Sequence, residues 1–378
     1  MKKLFSFTTA LLLCAAISYS ATKPFKVLAY SAYRDGQSPG GVEPTKEQIK
    51  QDLQMLLPYT FGIRIYSLSG YTALIPAICD ELGLELHVGV WLDNDDAENQ
   101  KNMDDAIKIL NEGHPSIKTV IVGNEYLLRQ DVTFKNNLVT AEAKLVGYIG
   151  YVKSHMTTKL PVGTAEPYWW WIKTSRALWE ASDIIYWQVH PWHDNQTIAG
   201  AVGFVTNLHN QVRTKITGFK LTDANKKDII SETGWPTAIT KGVSVGSDAN
   251  QQTYVQKLHA WAVPANVDYM FFCPFDEQWK QGEPNGVGPH WGIWNADRTP
   301  KGTITNLDQL IPANLRYTQG WGPVGIQKHY ASPALNSAMK GEIQSFNVQG
   351  REVFQQTTTN EKAKKPAAGM YLNRVIEK

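Results

Sequence analysis

Two glutamates stand where an apolar run ends. Glu125 follows Thr119-Val120-Ile121-Val122-Gly123-Asn124, and Glu232 follows Ile229-Ile230-Ser231 and precedes Thr233-Gly234-Trp235-Pro236. A carboxylate beside a run destined for a core must be desolvated or well bonded, and neither is favourable without a partner or a purpose. A single such Glu reads as a salt-bridged surface residue. Two of them, at the ends of separate runs, read as a working pair for acid, base or nucleophilic chemistry. Cleavage of a glycosidic bond asks for such a pair: one carboxyl protonated to serve the leaving oxygen, the other ionised toward the anomeric carbon.

Both glutamates can serve one site only if their strands end together at one face. From about residue 25 to 310 the chain alternates short β-branched or apolar runs with longer amphipathic stretches, the pattern of a parallel α/β fold. Strands are predicted over 26–30, 62–66, 85–91, 118–123, 160–164, 183–190, 228–232 and 269–275, with helices over 46–57, 72–82, 98–111, 141–155, 198–212 and 249–262. Thr45, followed three residues on by Gln48, opens the first helix like a capping box. The strand runs lack polar alternation, as expected when helices cover them outside and side chains fill the inside. Eight such units predict a (β/α)8 TIM barrel of the α/β class, with its chemistry at the C-terminal strand ends. A doubly wound open sheet would want a Gly-rich phosphate loop, and Ser38-Pro39-Gly40-Gly41 reads as a turn instead. Strands four and seven face each other across such a barrel, which permits the roughly 5–5.5 Å carboxyl separation of a retaining mechanism.

Val122-Gly123-Asn124-Glu125 and Ser231-Glu232-Thr233-Gly234-Trp235-Pro236 resemble the two active-site signatures of glycoside hydrolase family 17, the β-1,3-glucanase and lichenase family. The resemblance covers about residues 25–301. It implies a retaining glycoside hydrolase acting on β-1,3-glucan, with Glu125 as acid/base and Glu232 as nucleophile, and no cofactor; the alternatives are a β-1,3-glucan transglycosylase on the same site and a non-catalytic glucan-binding surface protein. Arg64 and Tyr66 match the family's Arg-x-Tyr near the nucleophile, and Asn124 would donate to the sugar 2-hydroxyl. Phe275-Asp276-Glu277-Gln278-Trp279-Lys280 is close to the family's Phe-Asp-Glu-x-x-Lys, which supports the carboxylates and sugar hydroxyls. Tyr186, His190, Trp192 and Trp235 complete the expected substrate-binding set, with rings stacked on sugar. The run from Tyr186 to Asp194 departs from plant members and looks closer to bacterial and fungal ones. His190, His193 and Asp194 also allow a metal reading, but His-x-x-His on a strand end with Pro191 inside it aligns two imidazoles poorly, so no metal is expected.

Composition agrees with a carbohydrate ligand. Charged residues make up 19%, and the formal charge of +2 becomes 2 − 2 = 0 without Lys2 and Lys3, so no field for nucleic acid or anionic lipid is implied. Thirteen Trp and 16 Tyr exceed the needs of one core, and a polyhydroxylated ligand stacks on such rings. Residues 1–20 read as a signal peptide: Lys2-Lys3, an apolar run, then small residues before a cut after Ser20. A secreted or surface-held monomer, not inserted in a membrane, is expected. Cys79 and Cys273 are expected as buried thiols, with no disulfide framework. The barrel is expected over 21–316, a linker over 317–339 and a short β-rich tail over 340–378. Gly350–Val353 and Ala368–Tyr371 within that tail resemble the sorting domain of bacterial type IX secretion.

Overall fold

The computed structural model describes residues 22–221 and 226–322. Each apolar run forms a strand: β1 (Phe25–Ala29), β2 (Thr60–Arg64), β3 (Glu85–Val90), β4 (Ile117–Asn124), β5 (Val162–Pro167), β6 (Ile184–Gln188), β7 (Lys227–Thr233) and β8 (Tyr269–Phe271). All eight pair in parallel and in sequence order, and β8 closes the barrel on β1 through Val27 with Met270 and Leu28 with Phe271. The register sets Asn124 beside Ala165 and Gln188 beside Glu232, so the ends of β4 to β7 arrive at one face.

Several of the amphipathic stretches open their helices with a side-chain cap. In α1 (Lys46–Leu56) the Thr45 hydroxyl takes the Gln48 amide, while the Gln48 side chain returns to the Thr45 amide. Asp95 caps α3 (Asp96–Leu110), Asn137 caps α5 (Leu138–His155) and Ser247 caps α9 (Asp248–Ala262). Between these lie α2 (Ile75–Leu82), α4 (Tyr126–Val132), α6 (Tyr168–Lys173), α7 (Arg176–Ala181) and α8 (Ala201–Gly218). The sequence pattern missed α4, α6 and α7, because six or seven residues are too few to show a 3.6-residue period.

Two cores result. A large one fills the layer between strands and helices, and a small one of Val27, Ile121, Ala165, Ile184, Tyr186, Ile229 and Met270 fills the barrel itself. Trp321 packs on this small core, while the amides of Trp321 and Gly322 donate to Glu85 at 2.8 and 2.9 Å. Tyr317 is buried and exchanges backbone hydrogen bonds with Lys23. The segment expected to open a linker at 317 is therefore part of the barrel domain at least as far as Gly322. Its polar residues hid the two rings, Tyr317 and Trp321, that seat it. Cys79 and Cys273 are buried free thiols, as expected. No helix among the described residues is long and apolar enough to cross a membrane. The leader over 1–20, the rest of the expected linker and the tail over 340–378 lie outside the described residues.

Candidate active site

Glu125 leaves β4 through a backbone that L residues avoid. Its φ is 52° and ψ 34°, a left-handed conformation that costs about 1–2 kcal/mol for a non-glycine residue. Gly123, two residues earlier, takes φ 81°, where an added Cβ would also sit 3.3 Å from Leu92, Leu145 and Tyr126. Three contacts hold this turn. The Glu125 amide donates to the Ala165 carbonyl at 2.7 Å, and the buried Arg129 guanidinium donates to the carbonyls of Asn124 and Leu92. Strain held by surrounding bonds at one carboxyl is an arrangement found at working sites.

Glu232 sits in a different environment. Its Oε1 accepts from Arg64 Nη1 at 3.0 Å and from Gln188 Nε2 at 2.8 Å, while Oε2 lies 3.3 Å from His190 Nε2. Arg64 also donates to the Ser231 carbonyl at 2.7 Å and to Asn124 Oδ1 at 2.5 Å, and Gln188 Nε2 reaches Asn124 Oδ1 at 2.7 Å. One guanidinium and one carboxamide thus lock Asn124 and Glu232 together. Asn124 Nδ2 is buried and has no partner among the described residues, so it keeps a donor in hand.

These surroundings push the two carboxyls apart. Burial raises Glu125, the negative charge of Glu232 adds to it, and Arg129 opposes both, leaving Glu125 pushed up to about 8. Burial acts on Glu232 in the same sense, but Arg64 and then His190 overcome it and hold that carboxyl below its ordinary range. At neutral pH one is an acid and the other an anion, the division that pairs of catalytic carboxyls require.

A cavity of about 190 Å³ has Tyr33, Tyr66, Tyr71, Trp91 and Trp279 in its walls; neither glutamate lines it, and Lys280, whose charge acts on Glu232, connects it to the pair. Tyr33 stands edge-on to Tyr71 and Trp279, with centroids 5.2 and 5.6 Å away, and Arg64 lies over the Tyr66 ring at 4.7 Å. Glu277 and Lys280 line it too, paired at 2.6 Å, and the Lys280 charge helps keep Glu232 ionised.

Several expected binding residues lie elsewhere. Trp192 is fully buried with its indole donating to the Ile239 carbonyl, and Trp235 is fully buried with its indole on the Val245 carbonyl; neither has a ring face for sugar. Tyr186 belongs to the barrel's inner core. Asp276 accepts from the Gly292 amide at 2.9 Å and pairs with Lys301 at 2.7 Å, which makes it a brace for the loop after β8. Arg64, 1% exposed, bonds the carboxylate and Asn124. His190 faces Glu232 while Asp194 accepts from Tyr168, and no group of three or more His, Cys, Asp or Glu side chains that could hold a metal ion occurs among the described residues. Sequence reasoning missed Arg129, Glu166 and Gln188. Gln188 and Glu166 were legible only as polar residues at strand ends, and Arg129 only through the short helix that carries it.

A parallel eight-stranded barrel that brings two buried, oppositely tuned carboxyls to the ends of β4 and β7 has the parts that glycosidic cleavage requires. Residues 27–292 match the BtgE/BtgC glycoside hydrolase domain, and the chain belongs to that family. Among curated proteins it is 28% identical over 283 residues to "Probable glucan endo-1,3-beta-glucosidase btgC" of Aspergillus flavus, covering 68% of this chain and 40% of that protein. It is 30% identical over 271 residues to the "Putative glucan endo-1,3-beta-glucosidase btgC" of Aspergillus niger, covering 66% of this chain and 38% of the relative. The chain therefore spans well under half of these relatives. A Rhizomucor miehei β-1,3-glucanosyltransferase, solved with laminaritriose, superposes with a TM-score of 0.62 at 27% identity over 74% of this chain and 96% of that one. An endo-laminarinase from Formosa shares the fold, with a TM-score of 0.66 at 17% identity over 82% of this chain and 97% of that one.

Proposed function

We propose that this protein is a retaining glycoside hydrolase that cleaves β-1,3-glucosidic bonds in laminarin-like glucans, with Glu125 as acid/base and Glu232 as nucleophile. The observation that carries the reading is the opposite tuning of two buried carboxyls: Glu125 raised by burial and by Glu232, Glu232 lowered by Arg64 and His190. Glu125 gives its proton to the glycosidic oxygen as the bond to the anomeric carbon breaks. Glu232 attacks that carbon from the other face and forms a glycosyl ester. Its Oε1 is occupied by Arg64 and Gln188, so Oε2, with the longer contact to His190, is the attacking oxygen. In the second half Glu125, now ionised, takes a proton from water, the water oxygen displaces the ester, and Glu232 returns to a carboxylate. Asn124 Nδ2 donates to the neighbouring hydroxyl where charge develops.

The cavity of Tyr33, Tyr71 and Trp279 offers ring edges and faces to the next sugar. Trp279, Tyr66, Glu277 and Lys280 are its substrate contacts in this proposal. A second reading, transfer to a sugar hydroxyl in place of water, is favoured by the glucanosyltransferase among the similar structures. We further propose a secreted or surface-held monomer of bacterial type, exported by the leader over 1–20 and sorted by its tail. Laminarin, curdlan, lichenan and cellulose assayed side by side test the substrate. Release from laminarin and curdlan with cellulose untouched supports the reading, products longer than the substrate select transfer, and preferential release from cellulose overturns it.

A further inference from the structure

Behind Glu125 lies a third carboxyl. Glu166, on β5 and fully buried, accepts the Leu127 amide on Oε1 at 2.9 Å, while Oε2 is buried without a partner among the described residues. Leu127 is the second residue of α4, whose first turn follows directly from Glu125. The residue before Glu166 on the same strand is Ala165, whose carbonyl takes the Glu125 amide. Two neighbouring groups of β5 therefore grip the chain on both sides of the Glu125 turn: a backbone carbonyl at Glu125 itself and a side-chain carboxyl two residues on. A Gln or a small polar residue would serve as well for capping alone. A carboxyl placed there also faces the site's acid.

We propose that Glu166 is a positioning residue for the acid/base Glu125, its carboxyl clamping the first turn of α4 so that the strained turn presents Glu125 toward Glu232, and its negative charge, once formed, acting on Glu125 across that turn. This rests on the reading of Glu125 as acid/base. The groups acting on Glu125 are Glu232 from β7, Arg129 from α4, Glu166 from β5 and Glu283 from the loop after β8. Burial raises Glu166, while the Leu127 amide, Arg129 and the amides of Leu128 and Tyr126 oppose it, leaving it pushed up to about 8. Glu166 is thus neutral through most of the working range, where glutamine mimics it. As it ionises, its charge adds to those that hold the proton on Glu125.

Two variants separate this role from plain packing. Glu166→Ala loses the clamp, and kcat on laminarin should fall by about 10- to 100-fold at unchanged KM, the scale of a misplaced catalytic group. Glu166→Gln keeps the amide contact, so it should restore kcat at pH 6. Because it cannot ionise, the alkaline limb of its rate profile should move to lower pH. A purely structural residue would give the glutamine variant an unmoved limb, and that result overturns the proposal whether or not the alanine variant folds. Wild-type kcat and profile in Glu166→Ala overturn it too. Glu125→Gln, run in parallel, tests the underlying reading: it should lose laminarin cleavage but keep the first step on an activated aryl glycoside. If it loses neither, the acid/base reading fails. If it behaves as an acid variant while the Glu166→Gln limb stays fixed, only the present inference fails.

Discussion

Replacing Arg64 with methionine removes the charge that keeps Glu232 ionised and leaves the aliphatic volume in place. The two side chains are 1% and 2% exposed and 3.0 Å apart, so water cannot take over the lost partner. Removing one member of a buried pair costs about 3–5 kcal/mol, most of it the isolated charge left behind. At about 2.1 cal/mol/K of unfolding entropy per residue over roughly 300 residues, that is a fall in Tm of about 5–8 °C at neutral pH. The sign with pH follows from the wild type. A carboxyl held below its ordinary 4.5 contributes stability above that value and loses it as pH falls through the folded pKa. In Arg64→Met burial acts on Glu232 with its strongest opponent gone and His190, Lys280 and the Gln188 amide remaining, so its pKa rises. The difference in Tm should therefore be largest where Glu232 is ionised in both proteins, begin to shrink as pH falls through the variant's raised Glu232 pKa, and go on shrinking until pH passes the lowered one of the wild type. The acid limb of kcat/KM should move to higher pH in the same variant. Thermal denaturation and rate profiles across pH read both. An unchanged Tm at pH 7 with an unmoved acid limb would refute the claim that Arg64 sets the state of Glu232.

The rate needs Glu125 protonated, so kcat/KM on laminarin should fall as pH rises through about 8, and a profile flat to pH 10 would contradict this. Trp279→Ala should weaken laminari-oligosaccharide binding by about 1–2 kcal/mol in calorimetry. Trp192→Ala should leave binding alone and lower Tm, because its ring is core. A chain ending at Gly322 should keep the barrel's Tm and activity, whereas one ending at Arg316 loses Tyr317 and Trp321 and should melt earlier.

The barrel was legible because its strands are buried on both faces and read as unbroken apolar runs, bounded within a few residues by the structure. Strand β5 shows the limit. Its run was read over 160–164, yet the strand extends to Pro167 and carries Glu166 toward the site. The two glutamates were visible as carboxyls out of place among apolar neighbours. Their supports were not, because Gln188, Arg129 and Glu166 acquire meaning only through register and a seven-residue helix. Aromatic residues misled in the other direction. Trp192, Trp235 and Tyr186 have the composition of a sugar platform, and only their depth in the fold assigns them to the core. Tyr33, on a loop, and Tyr71, in the short 3-10 helix before α2, line the cavity instead.

The division of labour between Glu125 and Glu232 is the central claim, and azide tests it most directly. Azide is small enough to enter a space vacated by a carboxyl, and the configuration of its product records which face of the sugar it attacked. With Glu232→Ala no glycosyl ester forms, so azide attacks the β-linked substrate from the emptied side and should yield the α-glycosyl azide. With Glu125→Ala and an activated aryl glycoside, the ester forms without acid help and waits for a base, so azide should displace it and yield the β-glycosyl azide. Proton NMR of the anomeric centre distinguishes the two, and the wild-type protein should release β-configured sugar first. The same azide configuration from both variants, or α-configured sugar as the first product, would contradict the account.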